Sequence, residues 1–179
     1  VCALHKKRME KNQPPIPISV NISRKTLFAP GIVDIYKSIA ESYGVETKYI
    51  PIEITESLAL ANKKIKPIAD SFISAGFELQ MDDFGSGESA LNGLNMMHFT
   101  VVKLDKSLID FIGQKNGDLI LNYAMALGKE LGVQLVAEGV ENINQLAFLR
   151  KNNCDVIQGY YFSKPLPLDE FEAKVDSNL

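Results

Sequence analysis

The chain has 179 residues, 46% of them hydrophobic, and a formal net charge of -3 at pH 7. That length and apolar content suffice for one domain with a real core, and the slight negative charge excludes a general attraction for polyanions, so no DNA or RNA duplex is expected as a partner. Cys2 and Cys154 are too few for a disulfide scaffold, no apolar stretch approaches the roughly 20 residues that span a bilayer, and Val1 to Lys11 lacks a signal-peptide core; a cytoplasmic domain is expected, whatever tethers a longer parent.

Val1 to Lys11 reads as the end of a helix running into the polar Asn12-Gln13-Pro14-Pro15 turn, so a preceding segment is expected. From Ile16 onward, short β-branched runs alternate with longer stretches of helical period, the pattern of βα units and a parallel sheet. Strands are predicted at Ile16 to Ile22, Tyr49 to Ile54, Phe77 to Met81, Thr100 to Leu104, Gln134 to Ala137 and Val156-Ile157. Between them, Ile32, Ile35, Ile39 and Tyr43 form one helical stripe. Leu58, Ala61, Ile65, Ile68 and Phe72 form a second, and Ile120, Tyr123, Ala124, Leu127 and Leu131 a third, each able to cover a sheet face. Ser57 and Asn142 read as N-caps, and Gly44, Gly76 and Gly132 stand where helices end in a left-handed residue.

Five of the apolar runs carry an acid, an amide or a lysine at or near their ends: Asn21, Glu53, Asp82-Asp83, Lys103 and Glu138. Burying any one of these alone is costly, whereas together they offset one another and form a site for hard cations and a phosphate ester. Strand C-terminal ends are where open α/β sheets and (β/α) barrels carry their sites.

Asn21 is either a neutral oxygen ligand or a turn former. Glu53 lies inside an apolar strand and needs a partner, while Glu56 starts the following helix and is either a dipole-complementing acid or an anchor for the neighbouring loop. Asp82 and Asp83, followed by Phe84-Gly85-Ser86-Gly87, place two repelling charges against a glycine loop; a divalent cation removes the repulsion, and a polar turn is the alternative. Lys103 is flanked by apolar residues and reads either as a group that orients water and meets phosphate or as an ion-pair partner. Gly139 allows a sharp exit that points Glu138 over the mouth, with Glu141 in support and Gln158 at another strand end. Tyr160, Tyr161 and Phe162 read as packing residues, with base-stacking the alternative, and His5 and His98 are not a metal-ligand pair by spacing.

Taken in order, Val20-Asn21-Ile22-Ser23, Glu53-Ile54-Thr55-Glu56, Asp82-Asp83-Phe84-Gly85-Ser86-Gly87, Val102-Lys103-Leu104-Asp105, Ala137-Glu138-Gly139-Val140-Glu141 and Gln158-Gly159-Tyr160-Tyr161-Phe162 resemble the EAL family of cyclic di-GMP phosphodiesterases. The resemblance extends through Ser163-Lys164-Pro165-Leu166-Pro167, nearly the whole chain. It implies a TIM-type (β/α) barrel of bacterial second-messenger signalling that hydrolyses cyclic di-GMP to linear pGpG with two Mg²⁺ or Mn²⁺ ions. By position, Asn21, Glu53 and Asp82 correspond to ligands of one ion, and Asp82, Asp83 and Glu138 to ligands of the second, with Asp82 bridging. Lys103 corresponds to the residue that orients the attacking water, Glu138 also carries general-base character, and Glu56, Glu141 and Gln158 correspond to the supporting, substrate-binding shell. A homodimer and a fused sensory or diguanylate cyclase domain are compatible with the resemblance.

Two features depart from the family pattern. The Glu-Ala-Leu signature is absent from residues 1–179, which begin downstream of where its strand is expected, so they are expected to be the C-terminal three-quarters of an EAL domain, with about six of the eight βα units of a barrel. An opened sheet with exposed strand edges and one ligand fewer is expected to leave the chain by itself poorly folded or self-associating and weakly active or inactive. In addition, Glu88-Ser89-Ala90 stands where the family commonly has an aromatic followed by serines. A catalytically inactive cyclic di-GMP receptor or interaction module is the alternative class.

Overall fold

The computed structural model describes residues 1–60, 64–86, 94 and 97–177. Its centre is a parallel sheet in which β1 (Val20–Asn21), β2 (Ile52–Thr55), β3 (Leu79–Phe84), β4 (Val101–Leu104), β5 (Gln134–Ala137) and β6 (Val156–Ile157) lie side by side in chain order. The neighbouring strands are all parallel and helices separate most of them along the chain, so the strands form the wall of a (β/α) barrel that is not closed among the described residues. All six strands fall where the apolar runs predict them. The first is shorter than its run, although backbone pairing continues beyond it, from Ile18 N–H to the Tyr49 carbonyl and from Ile22 N–H to the Glu53 carbonyl.

Helices α1 (Cys2–Glu10), α2 (Arg24–Leu27), α3 (Ile32–Ser42), α4 (Glu56–Leu60), α5 (Ile65–Ser74), α6 (Lys106–Ile109), α7 (Lys115–Leu131), α8 (Ile143–Lys151) and α9 (Leu168–Asp176) pack around this wall. None of the helices among the described residues is long and apolar enough to cross a membrane. Leu58, Ile65, Ile68 and Phe72 turn inward as their stripe predicts; Ala61 lies outside the described residues.

The other two stripes are corrected by the structure. On α3 the inward face is Ile32, Val33, Tyr36 and Ala40, with the Tyr36 ring meeting Phe72 edge-on at 5.7 Å, while Ile35, Ile39 and Tyr43 are exposed. On α7 the inward face is Leu121, Met125 and Gly128, while Ile120, Tyr123 and Leu131 face outward and Ala124 and Leu127 are half-buried. The reason is steric: a Cβ on Gly128 would come within 2.7 Å of Leu135 Cδ1, so α7 approaches the sheet on the side where it has no side chain.

Asn142 caps α8 in a full capping box with Gln145, as expected of an Asn three residues before Gln. The start of α4 is shifted from the Ser57 reading: the helix begins at Glu56 and Thr55 Oγ1 accepts from Leu58 N–H. Gly44, Gly76 and Gly132 all have positive φ at helix ends. At the periphery α1 is clamped to α9 by Lys7–Glu172 (2.6 Å) and Arg8–Asp176 (2.9 Å). His5 is buried there beside the Tyr49 ring, a packing position, and His98 is exposed.

Candidate active site

Side chains alternate across a strand, and this alternation sorts the sheet into two faces. Ile52, Ile54, Leu79, Met81, Val102, Leu104, Leu135 and Ala137 belong to the hydrophobic core. The intervening positions carry Glu53, Asp82 and Lys103, and Glu138 continues the same alternation one residue past β5. Strand register sets Asn21 level with Glu53 and Thr55 level with Asp82. Between Met81 and Phe84 the β3–β4 register shifts, and Asp83 takes a left-handed backbone (φ 58°) that few residues other than Gly, Asn and Asp adopt readily.

Lys103 joins the acids. Its Nζ lies 2.8 Å from Glu53 Oε1, 2.6 Å from Glu138 Oε1 and 3.3 Å from Asp82 Oδ1, with the lysine and Glu53 both buried. Burial pulls the Lys103 pKa down, but its bonds to Glu138 and Glu53 outweigh burial and hold it above the ordinary value, so the ammonium stays charged at neutral pH. Burial pushes the Glu138 carboxyl up, against the opposing pull of Lys103. Burial, followed by the charge of Asp82, pushes Asp83 up as well.

The surrounding residues differ in how they join this cluster. Gln158 Nε2 donates to Glu138 Oε1 at 2.6 Å. Glu56, buried at the head of α4, accepts from Gly85 N–H at 3.0 Å through Oε2 and so holds the loop that follows Asp82 and Asp83; of the two readings of Glu56, the loop anchor is the one with a bond. Glu141 is exposed and pairs with Lys106 at 3.2 Å, on the rim and apart from Lys103. Asn21 is exposed at the end of β1. Gly87 and Glu88-Ser89-Ala90 lie outside the described residues.

One contact has no counterpart in the sequence reading: Ser19 Oγ donates to Glu53 Oε1 at 2.5 Å. The signal was its place two residues before Asn21, which puts both on one side of an extended strand. Tyr160, Tyr161 and Phe162 are exposed, a correction to their reading as packing residues, although the Tyr161 and Phe162 rings meet edge-to-face at 5.3 Å. Beside them a cavity of about 860 Å³ runs from Glu138 and Gln158 toward Phe171 and Lys174 of α9.

Among the described residues, no group of three or more His, Cys, Asp and Glu side chains is arranged to hold a metal ion; the Lys103 ammonium lies among the acids. The donor set nevertheless suits a hard cation, being carboxylate and carboxamide oxygen throughout. Asp82 Oδ1 is buried without a hydrogen bond and meets charge at the Lys103 ammonium 3.3 Å away, which leaves this oxygen room for a closer cation.

A parallel (β/α) barrel wall with acids gathered around a lysine at its strand C-termini defines a TIM-type barrel domain with a polar site at one mouth. The chain belongs to the EAL domain family, whose model matches residues 1–165. Members of that family are generally dependent on a divalent metal. The chain is 35% identical over 157 residues to the cyclic di-GMP phosphodiesterase NbdA of Pseudomonas aeruginosa, covering 87% of this chain and 20% of NbdA. It superposes on the EAL domain of Mycobacterium smegmatis DcpA with a TM-score of 0.92 at 27% identity, covering 98% of this chain and 80% of that one. The corresponding values for the Pseudomonas aeruginosa MucR phosphodiesterase in its c-di-GMP complex are 0.87, 27%, 95% and 70%. The chain spans about a fifth of the length of several curated relatives it matches.

Proposed function

We propose that this domain hydrolyses cyclic di-GMP to linear pGpG with two Mg²⁺ or Mn²⁺ ions, as part of bacterial second-messenger signalling in the cytoplasm. The observation that carries the reading is the convergence of Glu53, Asp82 and Glu138 on Lys103 Nζ, within 2.6–3.3 Å, in a chain 35% identical to a protein named for that activity. The likeness to a phosphodiesterase solved with c-di-GMP supports the choice of ligand.

Asn21, Glu53 and Asp82 would hold one cation, and Asp82, Asp83 and Glu138 the second, with Asp82 shared. Bound there, the cations would activate water and neutralise charge on the entering and leaving oxygens of an in-line displacement. Lys103, charged at neutral pH, donates hydrogen bonds and cannot accept a proton; its part is to orient the attacking water and balance charge on the phosphate. Glu138, beside Lys103 and held by Gln158, is the carboxylate placed to accept the proton that the water loses. Gln158 holds Glu138 by Oε1, Glu56 holds the loop at Gly85, and Glu141 supports the rim through Lys106.

The same reading makes residues 1–179 most of an EAL domain, in keeping with the 80% of the DcpA domain that the chain covers. It also admits a homodimer and a fused sensory or diguanylate cyclase domain. MucR of Pseudomonas aeruginosa, named a bifunctional diguanylate cyclase and phosphodiesterase, is 31% identical over 160 residues. The test is chromatography of cyclic di-GMP incubated with the protein expressed from its full open reading frame. Linear pGpG is expected with Mg²⁺ or Mn²⁺ and not after exchange for Ca²⁺, whose larger radius and looser geometry fit the site poorly. Equal conversion in chelator overturns the metal-dependent reading.

A further inference from the structure

We propose that Ser19 is a positioning residue that fixes which oxygen of Glu53 faces a bound cation; the inference rests on the reading of the site as a metal centre. Ser19 precedes Asn21 by two residues, on the same side of an extended strand, and Asn21 is level with Glu53 in the sheet. Its hydroxyl donates to Glu53 Oε1 at 2.5 Å, and Lys103 Nζ donates to the same oxygen at 2.8 Å. Among the described residues no hydrogen bond reaches Oε2.

A glutamate's terminal torsion is broad and roughly two-fold, so a carboxylate held by one flexible donor can present either oxygen. Lys103 is such a donor, since its ammonium is shared with Asp82 and Glu138. Ser19 is different: its hydroxyl sits on one short rotor attached to a strand paired with β2. With Oε1 occupied by two donors, Oε2 is the oxygen left for a cation. Outer contacts of this kind are worth about 10–100-fold in metal affinity.

The test is calorimetric titration of Mn²⁺, without nucleotide, into wild type, Ser19→Thr and Ser19→Val. The two variants match in shape and differ in the hydroxyl. Ser19→Val is expected to bind Mn²⁺ at least about 10-fold more weakly, and Ser19→Thr to stay close to wild type. In a Glu53→Met background, where position 53 has no acceptor, exchanging Thr for Val at position 19 should leave affinity unchanged, because the hydroxyl acts through the carboxylate. Equal affinities for Thr and Val in the wild-type background, or the same loss in the Glu53→Met background, overturn the proposal. If wild type hydrolyses cyclic di-GMP with Mn²⁺ while Thr and Val bind the ion alike, Ser19 alone loses its role. A wild type that neither binds Mn²⁺ nor turns over nucleotide overturns the metal-centre reading and Ser19 with it.

Discussion

Lys103 Nζ stands 2.6 Å from Glu138 Oε1, joining the third residue of β4 to the first residue after β5. Both ends are largely buried, the lysine side chain 10% exposed and the glutamate 18%. At that depth the pair is not a surface ion pair of negligible worth, and the same ammonium also reaches Glu53 and Asp82.

Removing the ammonium should therefore leave three acids without their shared partner. Lys103→Met is expected to destabilise the fold by about 3–5 kcal/mol in chelator, the range for breaking a buried pair by deleting one member. Urea denaturation measures this, and added Mn²⁺ should restore part of the loss by supplying positive charge. A variant as stable as wild type in chelator would mean that the acids need no counter-charge.

Asp82→Asn should be the most damaging conservative change at the site. It keeps the shape of the side chain while removing charge from the residue assigned to both cations. Mn²⁺ affinity and turnover are each expected to fall by more than the roughly 10–100-fold that follows loss of an outer contact. Titration calorimetry and initial rates check the two separately, and unchanged values for both count against a shared ligand.

Asp83→Asn should stabilise the metal-free protein at neutral pH. Burial and the charge of Asp82 raise the folded-state pKa of Asp83 above its unfolded value, so the folded state binds this proton more tightly. The resulting stabilisation is fully present below the unfolded pKa and is lost as pH rises through the folded one, leaving an ionised group that costs stability near pH 7. Asn removes that cost and tolerates the left-handed backbone at φ 58°. Thermal melts in chelator should show the gain at pH 7 and its decline as pH drops toward the ordinary carboxylate range.

Glu56→Ala should leave the Gly85 N–H without its acceptor and loosen the loop after Asp83, whereas Glu56→Gln keeps an oxygen there. Loss of a buried acceptor costs about 1–3 kcal/mol. The Ala variant is thus expected to melt earlier and turn over more slowly than the Gln variant. Gly85→Ala should act on the same loop by another route, since its φ is 91° and a Cβ would fall 2.3 Å from Leu108 Cδ1. Equal behaviour of the Ala and Gln variants at position 56 would remove the loop-anchor role.

Much of this architecture is legible in the sequence. Apolar runs of two to seven residues locate the strands among the described residues, because a parallel strand packed among helices must be β-branched or aliphatic on its covered face. Polar residues interrupting those runs locate the site for the same reason: Glu53 and Lys103 have no business in such strands without partners. The inward faces of α3 and α7 are not legible, because both helices carry apolar residues on two sides. The choice between them depends on the distant contacts of Tyr36 with Phe72 and of Gly128 with Leu135. Ser19 escapes for a related reason, since a serine in an extended run becomes informative once β1 and β2 are placed in register. The left-handed Asp83 is likewise a product of the β3–β4 register shift, which adjacent aspartates alone do not announce.

The central claim is that one mouth of this barrel holds two cations on Asn21, Glu53, Asp82, Asp83 and Glu138. Anomalous diffraction from crystals of the protein, expressed from its full open reading frame and grown with Mn²⁺ and cyclic di-GMP, tests it most directly. The account predicts two manganese peaks that share Asp82, one on the side of Asn21 and Glu53 and the other on the side of Asp83 and Glu138, with Lys103 beside the scissile phosphate. Cyclic di-GMP bound at the mouth with no manganese on these residues, or manganese held elsewhere, would contradict it.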